Sequence, residues 1–167
     1  MIRYKNLRSR LLAWIFDSMI VGLITFFLEL FRSLDNFWLN IIITFASINV
    51  LFIYRIYLHN KTGQTFGKRI VNIQVVDSQT ERHLSREQSF MREIIPMLVV
   101  NFSILALYII TWGNSESFEY SGLGVTMILI PSILIVGWYV ADFISGYFNS
   151  KERVLHDLIA NTTVVRK

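Results

Sequence analysis

Four long apolar runs divide this chain, and charged and polar segments separate them. The runs cover residues 11–31, 39–58, 94–112 and 125–144, so each has 19 to 21 residues. A helix of about 20 apolar residues is long enough to cross the hydrocarbon core of a bilayer. The pattern therefore predicts an all-α membrane protein with four transmembrane helices, in which residues 1–167 form a single domain.

The segment between the second and third runs, residues 59–93, is too polar to span a bilayer but has a regular pattern. Residues 70–76 alternate between hydrophobic and polar types before Val76 closes the run, which predicts a short β-strand. Its partner is expected in residues 81–84, as a hairpin-like segment, or in the tail around Thr162. Ser85 and Gln88 have the spacing of a capping box, which predicts an interfacial helix that turns into the third span at Pro96.

The distribution of basic residues predicts how the chain is oriented. Four Lys or Arg residues precede the first run, six lie in residues 59–93 and four in the tail, residues 145–167. The segment after the first run has only Arg32, and the segment after the third run has Glu116 and Glu119 but no base. Because basic loops stay on the cytoplasmic side, both termini and the loop 59–93 are expected in the cytoplasm of a multi-pass cell-membrane protein. Trp38 and Trp112 then lie at the opposite interface, where indole rings are favoured.

Composition narrows the function classes further. Hydrophobic residues make up 53% of the chain, cysteine is absent and the net charge is +4. The basic residues fall between apolar runs and form no base-stacking surface, so nucleic acid is not an expected partner. The three histidines are far apart in sequence, and no nucleophile and base are spaced for catalysis. We therefore expect no metal site, no cofactor and no enzymatic activity.

Polar residues inside the apolar runs are the first candidates for a functional site, because an ionised side chain at membrane depth costs about 2.5–3.5 kcal/mol. At about 1.5 Å per residue, Asp17, Asn49 and Asn101 share one level, roughly 10–13 Å from the cytoplasmic helix ends. Arg55 and Asp142 lie just below this level, and Arg10 lies two helical turns from Asp17.

Two interpretations of this cluster stay open. In one, Asp17 pairs with Arg55 or Arg10, bonds to Asn49 or Asn101, and only fixes helix packing. In the other, the cluster lines a hydrated cavity that binds a cation, a proton or a small solute.

Glycines 63 and 67 flank a short motif that superficially resembles a phosphate-binding loop. Residues 63–69 read GQTFGKR, with three residues between the glycines and no Ser or Thr after the lysine. A nucleotide-binding P-loop needs four intervening residues and that hydroxyl. We expect a tight turn that presents Lys68 and Arg69 to anionic lipid headgroups. In the fourth run, Gly137, Ala141 and Ser145 form a small-residue ridge, which favours helix contact within the bundle or in a dimer.

Three blocks of the sequence together resemble the RDD family of small bacterial membrane proteins. They are Arg10 with Asp17, residues 63–76 (GQTFGKRIVNIQVV) and residues 155–165 (LHDLIANTTVV). Arg10 and Asp17 match the arginine and first aspartate that give the family its name, and Asp157 matches the second aspartate. Phe66 stands where the family commonly has proline, and Asn161 where it commonly has glycine. The resemblance implies this architecture and a role in transport, without naming a ligand.

The surroundings of Asp157 give it a separate role. Apolar residues at 154, 155, 158 and 159 predict a short amphipathic helix on the membrane interface. Asp157 would project from its polar side either into solvent or toward Arg10, Lys68 or Arg69, and in the second case it latches the tail to the bundle.

Two functions follow as hypotheses. The first is transport of an ion or small solute through the polar cluster around Asp17, by a chain that forms a homo-oligomer or joins a partner membrane protein. The second is a non-transporting membrane module whose basic cytoplasmic surface binds anionic lipid headgroups or a partner membrane protein.

Overall fold

A computed structural model describes residue 4 and residues 6–32, 36–113 and 122–167, with side chains outside the description at 108–113 and 122–128. Its helices are α1 Leu7–Glu29, α2 Phe37–Thr62, α3 Phe66–Ile70, α4 Arg86–Gly113, α5 Gly122–Ser145 and α6 Leu155–Ile159. The strands are β1 Ile73–Asp77 and β2 Thr162–Arg166. Among the described residues, four helices are long and apolar enough to cross a membrane, which confirms the predicted fold class.

The long helices pack in the order α1, α2, α4, α5, so α1 and α5 form the two ends of the row. The short helix α3 packs against α1, and α6 packs against α4 and α5. All the short elements therefore lie at one end of the bundle, which we call the sheet end.

The two strands hold the central loop and the tail together. β1 and β2 pair antiparallel, with Ile73 opposite Arg166 and Asp77 opposite Thr162. The tail is therefore the strand partner, and the strand covers residues 73–77 rather than the predicted 70–76, because Phe66–Ile70 forms helix α3. Residues 81–84 instead belong to a turn in which the Asp77 amide donates to the Arg82 carbonyl at 3.0 Å. A small apolar core under the bundle joins this sheet to α1 and consists of Ala13, Ile73, Val75, Leu84 and Val164.

Helix α4 differs from its prediction in where it begins. The Ser85 hydroxyl accepts from the Gln88 amide at 3.1 Å, and the Gln88 side chain accepts from the Ser85 amide at 3.1 Å, so the capping box is present. The helix then continues without a break from Arg86 to Gly113, with Pro96 in its interior. The helix begins at Arg86 rather than at the predicted residue 94, and Pro96 lies inside it, which spanning helices tolerate because neighbouring groups satisfy the freed backbone carbonyl.

The small-residue ridge makes no close helix contact in the described part of the chain. A Cβ added at Gly137 would meet nothing within 4 Å, and Gly137 and Ala141 are exposed. The alternative of a dimer contact stays a prediction. Trp38 is exposed, whereas the side chain of Trp112 and residues Glu116 and Glu119 lie outside the described residues.

Candidate functional site

Asp157 is the centre of an ionic network at the sheet end. It lies in the first turn of α6 and is fully buried. Its carboxylate forms ion pairs with Arg10 of α1 and, at 2.7 Å, with Arg92 of α4. It also accepts from the Thr162 hydroxyl at 3.3 Å and the Val154 amide at 3.4 Å. One carboxylate thus ties the first spanning helix, the third spanning helix and the tail together.

The electrostatics of this network favour an ionised carboxylate. Burial alone raises the pKa of the Asp157 carboxyl, but the charges of Arg10 and Arg92 outweigh it. The pKa of Asp157 therefore lies well below its usual range, and the group stays charged at any physiological pH.

His156 extends the network to α5. The Asp142 carboxylate accepts from the His156 backbone amide at 3.0 Å and lies 2.8 Å from the ring nitrogen Nδ1. The other ring nitrogen, Nε2, lies 2.9 Å from Nη2 of Arg92. Because Arg92 can only donate, this geometry makes Nε2 the acceptor and places the ring proton on Nδ1, toward Asp142.

Asp17 binds the loop between α2 and β1. It is buried, and its carboxylate accepts from the Tyr54 hydroxyl at 2.9 Å, the Thr65 hydroxyl at 2.6 Å and the Gly67 amide at 2.8 Å. Thr65 is also the N-cap of α3, so the carboxylate fixes the start of that helix. None of these three donors belongs to Arg10, Arg55, Asn49 or Asn101, which are the partners that the sequence predicted for Asp17.

Close packing at Gly67 explains why this loop lies so near α1. A Cβ built at Gly67 would overlap the backbone carbonyl of Ala13 and come within 3.0 Å of Cγ of Asp17. Only a residue without a side chain allows the two backbones this approach. At the start of the loop, Gly63 has a φ of +68° and ends α2, as expected for a tight turn.

The other predicted polar residues form separate pairs. Asn49 and Asn101 bond to each other through both amide groups, at 2.8 and 3.2 Å. Arg55 lies 3.5 Å from Glu93, on α4. The single cluster predicted around Asp17 is therefore divided, because depth along a helix gives the level of a side chain but not the direction in which it points.

Lys68 and Arg69 also differ from each other. Nζ of Lys68 lies 2.6 Å from Nε2 of His59, inside the protein, so this lysine does not face lipid headgroups as predicted. Burial, and then the charges of Arg92 and Arg55, lower the pKa of Lys68 well below its usual range. Arg69 is exposed. Of the three bases considered as partners of Asp157, Arg10 is the one that pairs with it.

A cavity of about 450 Å³ lies beside the network, and we call it the sheet-end cavity. Charged, polar and apolar side chains all line it; we call the charged and polar ones the polar wall and the apolar ones, from α1, α4 and α5, the apolar wall. The polar wall contains Arg10, Asp17, Arg55, Lys68, Arg92, Glu93, Asp142 and His156. The apolar wall includes Leu11, Trp14, Pro96, Val136, Val140 and Phe143.

Sequence reasoning missed several of these residues. Arg92, Glu93 and His156 complete the network, and Tyr54 and Thr65 complete the environment of Asp17. The sequence feature that could have identified Arg92 and Glu93 is their position just before an apolar run. Charged side chains near the end of a spanning helix are costly unless they are paired. Among the described residues, no group of three or more histidine, aspartate or glutamate side chains is placed to hold a metal ion.

A comparison with known protein families gives a match that covers nearly the whole chain. The model of the RDD family matches residues 4–161. The chain belongs to the RDD family. It is therefore a membrane protein of that family, and its described residues contain four helices long and apolar enough to span a membrane and a small two-stranded sheet. Searches of curated proteins and of solved structures found no match.

The three positions that matched the family's characteristic residues have two different structural roles in this RDD protein. Arg10 and Asp157 pair directly and join the tail to the first span. Asp17 binds the loop that carries α3. Both interactions border the same cavity, since Arg10 and Asp17 each line it.

Proposed function

We propose that this RDD protein takes part in transport of a small solute or ion across the cell membrane and binds it in the sheet-end cavity. The observation that carries the proposal is this 450 Å³ cavity between spanning helices, which is lined by both charged and apolar side chains. Small-molecule sites commonly have volumes of about 300–1,000 Å³ and combine a mainly apolar lining with a few placed polar groups.

The position of the charged wall supports a binding role. Ionisable side chains inside spanning helices are expensive and usually mark solute or ion pathways. A network that served only packing could be satisfied by contacts between its own members. Here the wall instead borders open space large enough for a ligand.

The proposed site differs from the one expected around Asp17 alone. The carboxylate of Asp17 already accepts three hydrogen bonds, so its main role in the proposal is to hold the α3 loop against α1. Arg10, Arg55 and Arg92 become the principal ligand-facing groups, because they line the cavity and carry several donors each.

We further propose that the sheet end faces the cytoplasm, with both chain termini on that side. The side-chain amide of Asn6 donates to the Val164 carbonyl at 2.6 Å, so the start of α1 and the tail lie at the same end of the bundle. The basic segments of the sequence converge there as well, which agrees with the positive-inside rule.

Flux measurements in proteoliposomes test the transport proposal. Vesicles containing the full chain would be assayed for uptake of radiolabelled sodium, rubidium, phosphate and butanesulfonate. Val140→Trp places a large ring in the apolar wall and should lower any uptake that exceeds the uptake by empty vesicles. Leu134→Trp is the matched control, since Leu134 is exposed on the same helix but does not line the cavity. Uptake equal to that of empty vesicles for all four probes would refute the transport proposal.

A second candidate function, lipid-headgroup binding without transport, has one observation in its favour. Helix α3 exposes Phe66, Arg69 and Ile70, which is the combination of apolar and basic groups that suits a membrane interface. Native mass spectrometry would test it by comparing phosphatidylglycerol retention by the wild type and Arg69→Gln. Equal retention by both proteins would contradict a headgroup site on α3.

A further inference from the structure

We infer that the ligand of the sheet-end cavity is an amphiphilic anion, with a carboxylate or phosphate head on an alkyl chain. The inference rests on the proposed function, since it assigns a ligand class to the same cavity. Three features of the described residues support it: unused hydrogen-bond donors on the polar wall, a loosely held arginine, and exposed apolar side chains at the opening.

The first feature is an imbalance between donors and acceptors. Nη2 of Arg10 and Nε of Arg92 are buried and have no hydrogen-bond partner among the described residues. Both arginines line the cavity. The other two such atoms belong to His59 and Thr163, which do not line it.

Of the three carboxylates that line the cavity, two already have hydrogen-bond donors, whereas Glu93 has only the ion pair with Arg55 at 3.5 Å and a longer one with His59. Asp17 accepts three hydrogen bonds, and Asp142 accepts from both the backbone and the ring of His156. Behind the wall, Asp157 is bound by two arginines. Because a buried group without a partner is costly, a ligand that brings acceptors gains more here than one that brings donors.

The second feature is Arg55. Its guanidinium lies 3.5 Å from the Glu93 carboxylate, whereas a charge-assisted hydrogen bond measures about 2.7–2.9 Å. Its side chain lines the cavity and is 16% exposed. Arg55 can therefore bind an anionic head without first breaking a short ion pair.

Net charge does not by itself select an anion. The cavity wall carries four bases, Arg10, Arg55, Lys68 and Arg92, and three carboxylates, Asp17, Glu93 and Asp142. Adding Asp157 behind the wall makes the two counts equal at four each. Selectivity in this proposal therefore comes from the guanidinium groups of Arg10, Arg55 and Arg92, which line the cavity and carry several donors each.

The third feature is the opening of the cavity. Leu11 and Trp14 of α1, and Val136 and Val140 of α5, line the cavity yet are about half exposed, between 47% and 61%. These helices are the two ends of the packed row, so the cavity opens between them. An alkyl chain can occupy this opening, where apolar side chains continue into lipid.

Tryptophan quenching can test the ligand class, because Trp14 and Trp138 both line the cavity. The full chain, carrying Trp38→Phe and Trp112→Phe to remove the other indoles, would be placed in phosphatidylcholine nanodiscs. The probes are bromine-labelled dodecanoate, dodecyl phosphate and dodecyltrimethylammonium. Unlabelled dodecanoate serves as the competitor that separates binding at a site from partition into the bilayer.

We expect saturable quenching by the carboxylate or phosphate probe, reversed by unlabelled dodecanoate, and only linear quenching by the ammonium probe. The stronger of the two acidic probes then identifies the head group. Arg55→Gln should weaken apparent binding about tenfold or more, since a hydrogen bond to a charged group contributes about 1.5–3 kcal/mol. Arg8→Gln removes one positive charge from the exposed face of α1 and should leave binding within about twofold of the wild type.

A second variant keeps the test decisive if Arg55→Gln folds poorly. Arg10→Lys retains a cation beside Asp157 but removes the spare guanidinium donor, and it should also weaken the acidic probe. Saturable quenching by the ammonium probe at equal affinity would overturn the anion assignment but leave the cavity as the solute site. Absence of saturable quenching by all three probes would overturn the inference, whereas the flux assay decides separately whether the protein transports.

Discussion

Replacing Asp157 by asparagine should release the tail from the bundle. The substitution keeps the shape of the side chain but removes its charge, so Arg10 and Arg92 lose the carboxylate between them. Arg92 is 2% exposed and Arg10 is 11% exposed in their side chains, so water screens neither charge well. Removing one partner of a buried ion pair costs about 3–5 kcal/mol, because the remaining charge is left without compensation.

Hydrogen exchange of the tail, followed by mass spectrometry, measures this loss directly. The β2 amides that are hydrogen-bonded to β1 exchange only when the strand leaves β1, so their rate reports the free energy of opening. A loss of about 3–5 kcal/mol corresponds to roughly 100- to 4,000-fold faster exchange, at 1.4 kcal/mol per factor of ten. Glu87→Gln is the matched control, because it removes one exposed negative charge from α4 and should change the rate less than about twofold.

The pH dependence gives a further check on the same interaction. The pKa of Asp157 is held below its unfolded value, near 3.9, mainly by Arg10 and Arg92. Its contribution is therefore complete above that value and declines only when the pH falls toward the lower, folded pKa. The difference between wild type and Asp157→Asn should stay constant from pH 6 to pH 8, after correction for intrinsic exchange. A difference no larger than that of the control variant would refute the claim that Asp157 latches the tail.

Three further predictions concern the α3 loop. Gly67→Ala should lower the free energy of unfolding by about 1–3 kcal/mol or more, because the new Cβ overlaps the backbone of Ala13. Gly137→Ala is the control and should have little effect, since a Cβ there meets nothing within 4 Å. Equal thermal midpoints for the two variants would contradict this prediction. Asp17→Ala should destabilise the protein more than Asp17→Asn, because alanine leaves three donors without an acceptor, each costing about 1–3 kcal/mol, while Oδ1 of asparagine can still accept two of those bonds. The lowered pKa of Lys68 means that the unfolded chain binds its proton more tightly, so this residue makes stability rise with pH between its folded pKa and about 10.4. Lys68→Met should flatten that rise in denaturant titrations, and an unchanged slope would argue against a buried lysine.

Local pattern was sufficient for much of the fold. The four apolar runs predicted the four long helices, and the Ser85 and Gln88 spacing predicted the cap of α4. The similarity of residues 70–76 to the tail indicated a strand pair that joins positions nearly ninety residues apart. These features depend on hydrophobicity, backbone geometry and short spacings, which a sequence displays directly.

The start of α4 shows where local pattern was insufficient. The apolar run begins near residue 94, so the polar turns before Pro96 were assigned to a separate interfacial helix. Arg92 and Glu93 lie in those turns and are both buried. Arg92 pairs with Asp157 of α6, and Glu93 pairs with Arg55 of α2. Tertiary contacts thus extended a helix whose first turns do not look membrane-buried.

The sequence alone determined which residues would be costly to bury: it identified Asp17 by its depth, and the family resemblance identified Arg10, Asp17 and Asp157. Only the tertiary structure decided how they pair: Asp157 with two arginines, Asp17 with a loop, and the asparagines with each other. The physical reason is that insertion cost depends on residue type and depth, whereas pairing depends on helix rotation and on which helices are neighbours. The sheet-end cavity depends on the same rotations, since side chains from α1, α2, α4 and α5 must all turn toward one space to form it.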